Sequence, residues 1–195
     1  FASTPSAAAR ILQMGEEPWR VSVSGAPALD HLRALDLMTL DELQHSLDMS
    51  LDPAPVLATY HPATLDAATP SEQVEELLAA LHEIGRPVVF TYPNSDPGFA
   101  PVIRAIDDYV ERHRASRCFK ELGSRRYFSL MRFAAAMAGN SSSGIIEAAS
   151  FQLPVVNIGL RQKGRERASN VVDVECRREK IAGGLRRVLE PAFQK

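Results

Sequence analysis

Apolar and polar positions follow two periods along this chain. Four short runs are apolar or β-branched at nearly every position: Pro55 to Tyr60, Arg86 to Tyr92, Ala136 to Gly139 and Pro154 to Ile158. Cys118 to Phe119 and Asn170 to Val174 are weaker versions. A strand buried on both faces needs such a run. The intervening stretches repeat near 3.6 residues. Ser71 to Ile84 sets Val74, Leu77, Leu78 and Leu81 on one face, with Glu72, Glu75 and Glu76 outside. Phe99 to His113 turns Val102, Ile103, Ile106 and Val110 inward. Arg126 to Ala135, Ile145 to Ser150 and Arg178 to Leu189 read as further helices. Upstream, Ser3 to Gly15, Leu29 to Leu35 and Leu40 to Leu47 have helical spacing, and Trp19 to Ser24 alternates as a short strand would. Strands alternating with amphipathic helices predict an α/β fold with an open parallel sheet covered on both faces.

In such a sheet, ligands bind outside the carboxyl ends of the strands. The expected loops are Gly25 to Asp30, His61 to Thr64, Pro93 to Asp96, Asn140 to Gly144 and Gly159 to Arg167. The fourth holds three serines and Gly144. Small residues at a turn let a ligand approach the backbone. Ser141, Ser142 and Ser143 can either cap the helix or offer hydroxyls and N–H groups to an anion. Glu147, one turn on, is either a surface acid favoured by the helix dipole or an acceptor for two sugar hydroxyls. Arg161 can meet a phosphate through two parallel bonds or belong to a solvated basic face with Lys163, Arg165 and Arg167. Arg165 can instead order its loop.

His61 follows a strand directly, whereas His45, His82 and His113 sit in helical surface patterns. It can donate to phosphate, act as acid–base, or pin a loop. Asn94 and Asp96 can hold a base edge or sugar, or cap the next helix. Together these loops suggest a phosphate-binding wall for a nucleotide-linked substrate. Neither GxxxxGK(S/T) nor a complete GxGxxG occurs, so the usual nucleotide-hydrolase and dinucleotide fingerprints are missing.

Bulk properties narrow the partners. A length of 195 residues suits one domain with a sizeable core. The formal net charge of −2 supplies no global field toward nucleic acid or an anionic membrane. Cys118 and Cys176 have no metal-ligand spacing, and two separated cysteines fit a reducing compartment, the cytoplasm. No apolar run approaches a membrane span, and no signal peptide is visible. Phe1 opens as if within structure and LEPAFQK stops before another element, so the chain reads as a fragment or excised domain.

The runs NSSSGIIE, LPVVNIG and RQKGRE, with Asn170-Val171, resemble the hydrolysing branch of the UDP-N-acetylglucosamine 2-epimerases. FASTPSAAARILQMGEEPWRVSVSGAPALD, His61-Pro62 and Pro93-Asn94-Ser95-Asp96 extend the resemblance over nearly the whole chain, in order. The non-hydrolysing branch usually carries Thr-Glu-Arg-Pro where this chain has Arg161 to Arg165.

The resemblance implies a Rossmann-like three-layer αβα domain, the C-terminal half of a GT-B-like two-domain enzyme. Residues 1–195 would be one UDP-binding domain, with the N-terminal domain and its catalytic carboxylates absent and the extreme C-terminus also in question. The enzyme would eliminate UDP from a UDP-N-acetylhexosamine and hydrate the glycal-like intermediate with inversion at C2. Ser141 and Ser142 would bind phosphate, Glu147 the ribose, and Arg161 the diphosphate, with His61 near the reacting sugar. Asn94 and the stretch Phe119 to Ser124 would receive the uridine. No cofactor is implied. The implied partners are the UDP-sugar, the N-terminal domain of the same enzyme and a second copy in a homodimer, with no nucleic acid or membrane. The fragment alone would bind without turnover. Alternatives are a glycosyltransferase half of the same fold and a non-catalytic nucleotide-sugar-binding domain.

Overall fold

The computed structural model describes residues 1–63 and 68–193. Thr64, named above with the His61 loop, lies outside the described residues. The chain divides into two compact units, Phe1–Asp36 and Leu37–Lys195.

In the first unit, helix α1 spans Pro5–Gln13 and α2 spans Pro27–Ala34. Thr4 caps α1 by accepting from the Ala7 N–H at 3.1 Å, and Pro5 takes the first helical position. The expected strand Trp19 to Ser24 is not formed. Pro18 nucleates a 3-10 turn over Pro18–Arg20, Trp19 is 75% exposed, and the nearby pairing is an isolated parallel bridge between Ala2 and Val23. Alternation without a second strand to share its hydrogen bonds does not make a sheet. Gly25 to Asp30 therefore follows no strand of the main sheet and is not one of its carboxyl-end loops.

The second unit starts with α3, Leu40–Leu47, closed at its start by a Thr39–Glu42 capping box. There follow β1 Val56–Thr59, α4 Pro70–Ile84, β2 Val88–Thr91, α5 Phe99–Arg112 and β3 Arg117–Phe119. Then come α6 Gly123–Phe133, β4 Ala136–Gly139, α7 Ser143–Ile146, β5 Val155–Ile158, β6 Val171–Val174 and α8 Arg178–Leu189. The six strands among the described residues are all parallel, in the order β3-β2-β1-β4-β5-β6. This is the doubly wound Rossmann order, and the direction of winding reverses between β1 and β4.

Strands β1, β2, β4 and β5 are buried at every position, as their continuous apolar runs require. Val56, Ala58, Val88, Phe90, Ala136 and Ala138 share one core with Val74, Leu77 and Leu81 of α4, Ile106 of α5, and Ile181 and Leu185 of α8. Leu57, Val89 and Met137 point the other way and are buried too. A second capping box, Thr69 with Glu72, starts α4, and Gly85 in the left-handed region ends it.

The helix expected over Ile145 to Ser150 is only one turn, α7, continued as a 3-10 turn over Ala148–Phe151. The Ser150 N–H bonds back three residues to the Glu147 carbonyl, and Gln152 then turns left-handed.

Candidate functional site

The carboxyl ends of β1, β2 and β4 form a cavity of about 310 Å³ at the point where the winding reverses. His61, Asn94, Ser141, Ser143 and Glu147 line it, five of the residues marked from sequence. Asp96, Ser142, Gly144 and Arg161 are not on its wall.

Backbone geometry sets the floor. Gly139, last residue of β4, has φ 137, and a Cβ there would lie 1.9 Å from the Thr59 carbonyl oxygen of β1. Only glycine permits that approach. The chain then turns, and the Asn140 N–H donates to the Thr59 carbonyl at 3.2 Å. Ser141 accepts from the Ser143 N–H at 3.3 Å, whereas Ser142, directly before α7, makes no side-chain cap bond. With one helical turn behind it, the serine turn offers individual N–H and hydroxyl groups rather than a long-helix dipole. Gly144 serves packing: a Cβ there would stand 2.9 Å from the Val155 side chain of β5.

His61 is 7% exposed. Its Nδ1 accepts from the Asn94 N–H at 3.2 Å, so the single proton of the neutral ring sits on Nε2. Burial pulls its pKa down to about 4, the Arg161 charge adds to this, and Asp96 opposes it. At neutral pH the ring is an uncharged donor. Both Asp96 and Arg161 thus act on the site electrically without lining it. Neither Asn94 nor Asp96 caps the next helix with its side chain: Gly98 holds the cap position, without a side-chain bond.

Glu147 is not a surface acid. It is 9% exposed, and its Oε2 has no hydrogen-bond partner among the described residues. Burial raises its pKa, against hydrogen bonds from its own N–H and from Ser143. A buried carboxylate oxygen without a donor is costly, and a ligand hydroxyl would relieve it.

The loop after β5 is tied down by two side chains. Gln162 is 2% exposed and donates from Nε2 to the Asn140 carbonyl at 2.8 Å. Arg167 pairs with Asp173 and donates from Nη2 to the Gln162 carbonyl at 2.7 Å. Arg167, rather than Arg165, is the arginine whose side chain orders this loop. Arg161 is exposed, and one of its five N–H groups donates to the Asn140 carbonyl at 3.3 Å.

The pattern of the sequence did not reveal Thr59, Thr91 and Tyr127, which also line the cavity. Thr59 and Thr91 bond to each other through their hydroxyls. Each is the polar last residue of an otherwise apolar strand, which was the one signal that could have found them. Tyr127 comes from α6 and carries no such mark. The stretch that the resemblance assigned to uridine does reach the wall, through Lys120 to Ser124.

A larger cavity of about 840 Å³ lies on the β6 side of the loop, lined by Gln73, Lys163, Arg165, Arg167 and Cys176 among others. It contains neither His61, the serines nor Glu147, so size does not identify the chemistry here. Among the described residues, no helix is long and apolar enough to cross a membrane.

Residues 1–195 match the family described as UDP-N-acetylglucosamine 2-epimerase. A GDP/UDP-N,N'-diacetylbacillosamine 2-epimerase (hydrolyzing) of Campylobacter jejuni is 38% identical over 169 residues, 85% of this chain and 44% of that protein. A UDP-N,N'-diacetylbacillosamine 2-epimerase (hydrolyzing) of Legionella pneumophila is 34% identical over 97% of this chain and 50% of its own length. The chain thus spans about half the length of the curated relatives it matches. Among solved structures, the S. aureus MnaA–UDP co-structure superposes with a TM-score of 0.77 at 17% identity, covering 100% of this chain and 52% of that one. Its likeness supports the Rossmann-like fold, which covers about half of that chain.

Proposed function

The chain belongs to the UDP-N-acetylglucosamine 2-epimerase family, and we propose that it is the nucleotide-sugar-binding half of a hydrolysing 2-epimerase. Its substrate class is a UDP-linked 2-acetamido sugar. The observation that carries the reading is the buried, unpartnered Oε2 of Glu147 beside the serine turn. A carboxylate can accept from both hydroxyls of a ribose, and Ser141 to Ser143 with Arg161 would then face the diphosphate. The stretch Lys120 to Ser124 would face the base. What supports the hydrolysing branch is the naming of the two curated relatives above and the RQKGRE run.

In the proposed reaction the C2–H and C1–O bonds of the sugar break, UDP leaves, and a C1–C2 double bond forms. Water then delivers hydroxyl to C1 and a proton to C2 on the opposite face. This half would stabilise the charge that develops on the departing diphosphate. Donors held in place before the reaction suit that role, and here they are Arg161, the serine turn and the neutral Nε2–H of His61. The groups that move the C2 proton are assigned to the N-terminal half. The active enzyme would be a cytoplasmic homodimer.

Calorimetric titration with UDP, 2'-deoxy-UDP, uridine and ADP tests the reading. UDP should bind most tightly, with each of the others clearly weaker. In Glu147→Gln the preference for UDP over 2'-deoxy-UDP should shrink. Equal affinities for UDP and ADP, or an unchanged ribose preference in the variant, would overturn it.

A further inference from the structure

We propose that Asn140 is the positioning residue of this site, one buried residue whose side chain holds the backbone of His61 and whose main-chain carbonyl holds the loop carrying Arg161. Asn140 is 1% exposed and does not line the cavity, so it acts through its neighbours. Its Oδ1 accepts from the His61 N–H at 2.7 Å, and its Nδ2 donates to the His61 carbonyl at 2.8 Å. An amide is the side chain that offers a donor and an acceptor side by side, matching the N–H and C=O of one residue. The pairing extends the β1–β4 hydrogen bonding beyond the last paired residues, Thr59 and Gly139.

The backbone carbonyl of Asn140 meanwhile receives Gln162 Nε2 and Arg161 Nη1, the latter at 3.3 Å. Asn140 thus joins the strand end bearing the imidazole to the loop bearing the guanidinium. The consequence reaches the ring. His61 Nδ1 meets the Asn94 N–H only if the His61 backbone is held in place. That bond keeps the proton on Nε2. An asparagine that merely satisfied its own polar atoms would not need to span three strand ends.

This role rests on the nucleotide-binding reading for what His61 and Arg161 do, but its test does not. Asn140→Ala and Asn140→Asp are made in the full chain. The His61 tautomer is read by ¹⁵N NMR of the imidazole, assigned by its loss in His61→Gln, and UDP affinity is measured beside it. In the parent, His61 should show the Nε2–H tautomer alone. Asn140→Ala should mix the tautomers and weaken UDP about tenfold, the scale of a lost buried hydrogen bond. Asn140→Asp keeps the acceptor for the His61 N–H and loses the donor, so it should fall between. If Asn140→Ala fails to fold, the aspartate variant decides. Retention of the single tautomer overturns the proposal, whatever the affinity. A parent that binds no UDP would sink the nucleotide reading while the tautomer still judges Asn140.

Discussion

Two glutamates of this chain sit in opposite surroundings. Glu83, on the seam between α4 and α8, pairs with both Arg178 and Arg186, and those bonds hold its pKa below the ordinary value. Glu147, in the cavity at the β1–β4 reversal, has an oxygen with no partner, and burial pushes its pKa up. The first carboxylate is complete within the fold. One oxygen of the second has given up water without gaining a donor among the described residues. The contrast separates a carboxylate satisfied within the fold from one with an oxygen left open, which is the one we propose meets a ligand, and no sequence count of acids could make that separation.

The largest effect should come from Glu147→Gln. Losing hydrogen bonds to a charged group should weaken UDP about 10- to 100-fold. The same change should raise the melting temperature, because it removes a buried, underpartnered charge. A loss of stability with unchanged affinity would mean that Glu147 is structural, like Glu83. Next, Arg161→Ala should weaken UDP about tenfold, on the scale of a charge-assisted bond, whereas Arg112→Ala on α5 should leave it unchanged. Equal small effects would remove the phosphate role of Arg161.

The third test is pH. The folded-state pKa of His61 is lowered from 6.5 to about 4. The unfolded chain therefore takes up this proton first as pH falls. Its contribution is present above pH 6.5 and is lost progressively down to about pH 4. Glu147 has the opposite sign: its raised pKa favours the folded state at low pH and costs stability as pH rises through it. Denaturant titrations of the parent and His61→Gln across pH 4 to 7 isolate the histidine's share. The variant should lose stability less steeply on acidification, and parallel curves would contradict the assigned protonation. The smallest effect belongs to Glu83→Ala. Its ion pairs are exposed, so the melting temperature should move slightly and UDP affinity not at all. A change in affinity would show that the two regions are not independent.

Much of the fold was legible because burial writes itself into composition. The runs at Val56–Thr59 and Val155–Ile158 admit little besides a strand covered on both faces, and Leu40–Leu47 and Arg178–Leu189 kept their predicted bounds. Trp19 to Ser24 misled because alternation records a favourable face but not the presence of a neighbouring strand. At the site, His61, the serines and Glu147 were marked by position after strands. Tyr127 was not, since it reaches the cavity from a helix whose period says only which face is apolar. The burial of Glu147 was likewise hidden, because a three-dimensional enclosure has no local signature. Gln162 lay within a basic loop, and nothing in its neighbours announced that it, among so many charges, would be the buried member.

The glycines set the tolerance of the chain to change. Saturating position 139 in a library should return glycine alone, since even a methyl group would drive into the Thr59 carbonyl. Gly85 has open space around its missing Cβ but a φ of 71, so alanine there should cost about 1–2 kcal/mol. Gly183, within α8 and also unobstructed, should accept alanine with a gain of about 0.5–1 kcal/mol. One amino acid thus marks a forbidden position, a taxed one and an improvable one, and the forbidden one packs against Thr59, which lines the candidate cavity.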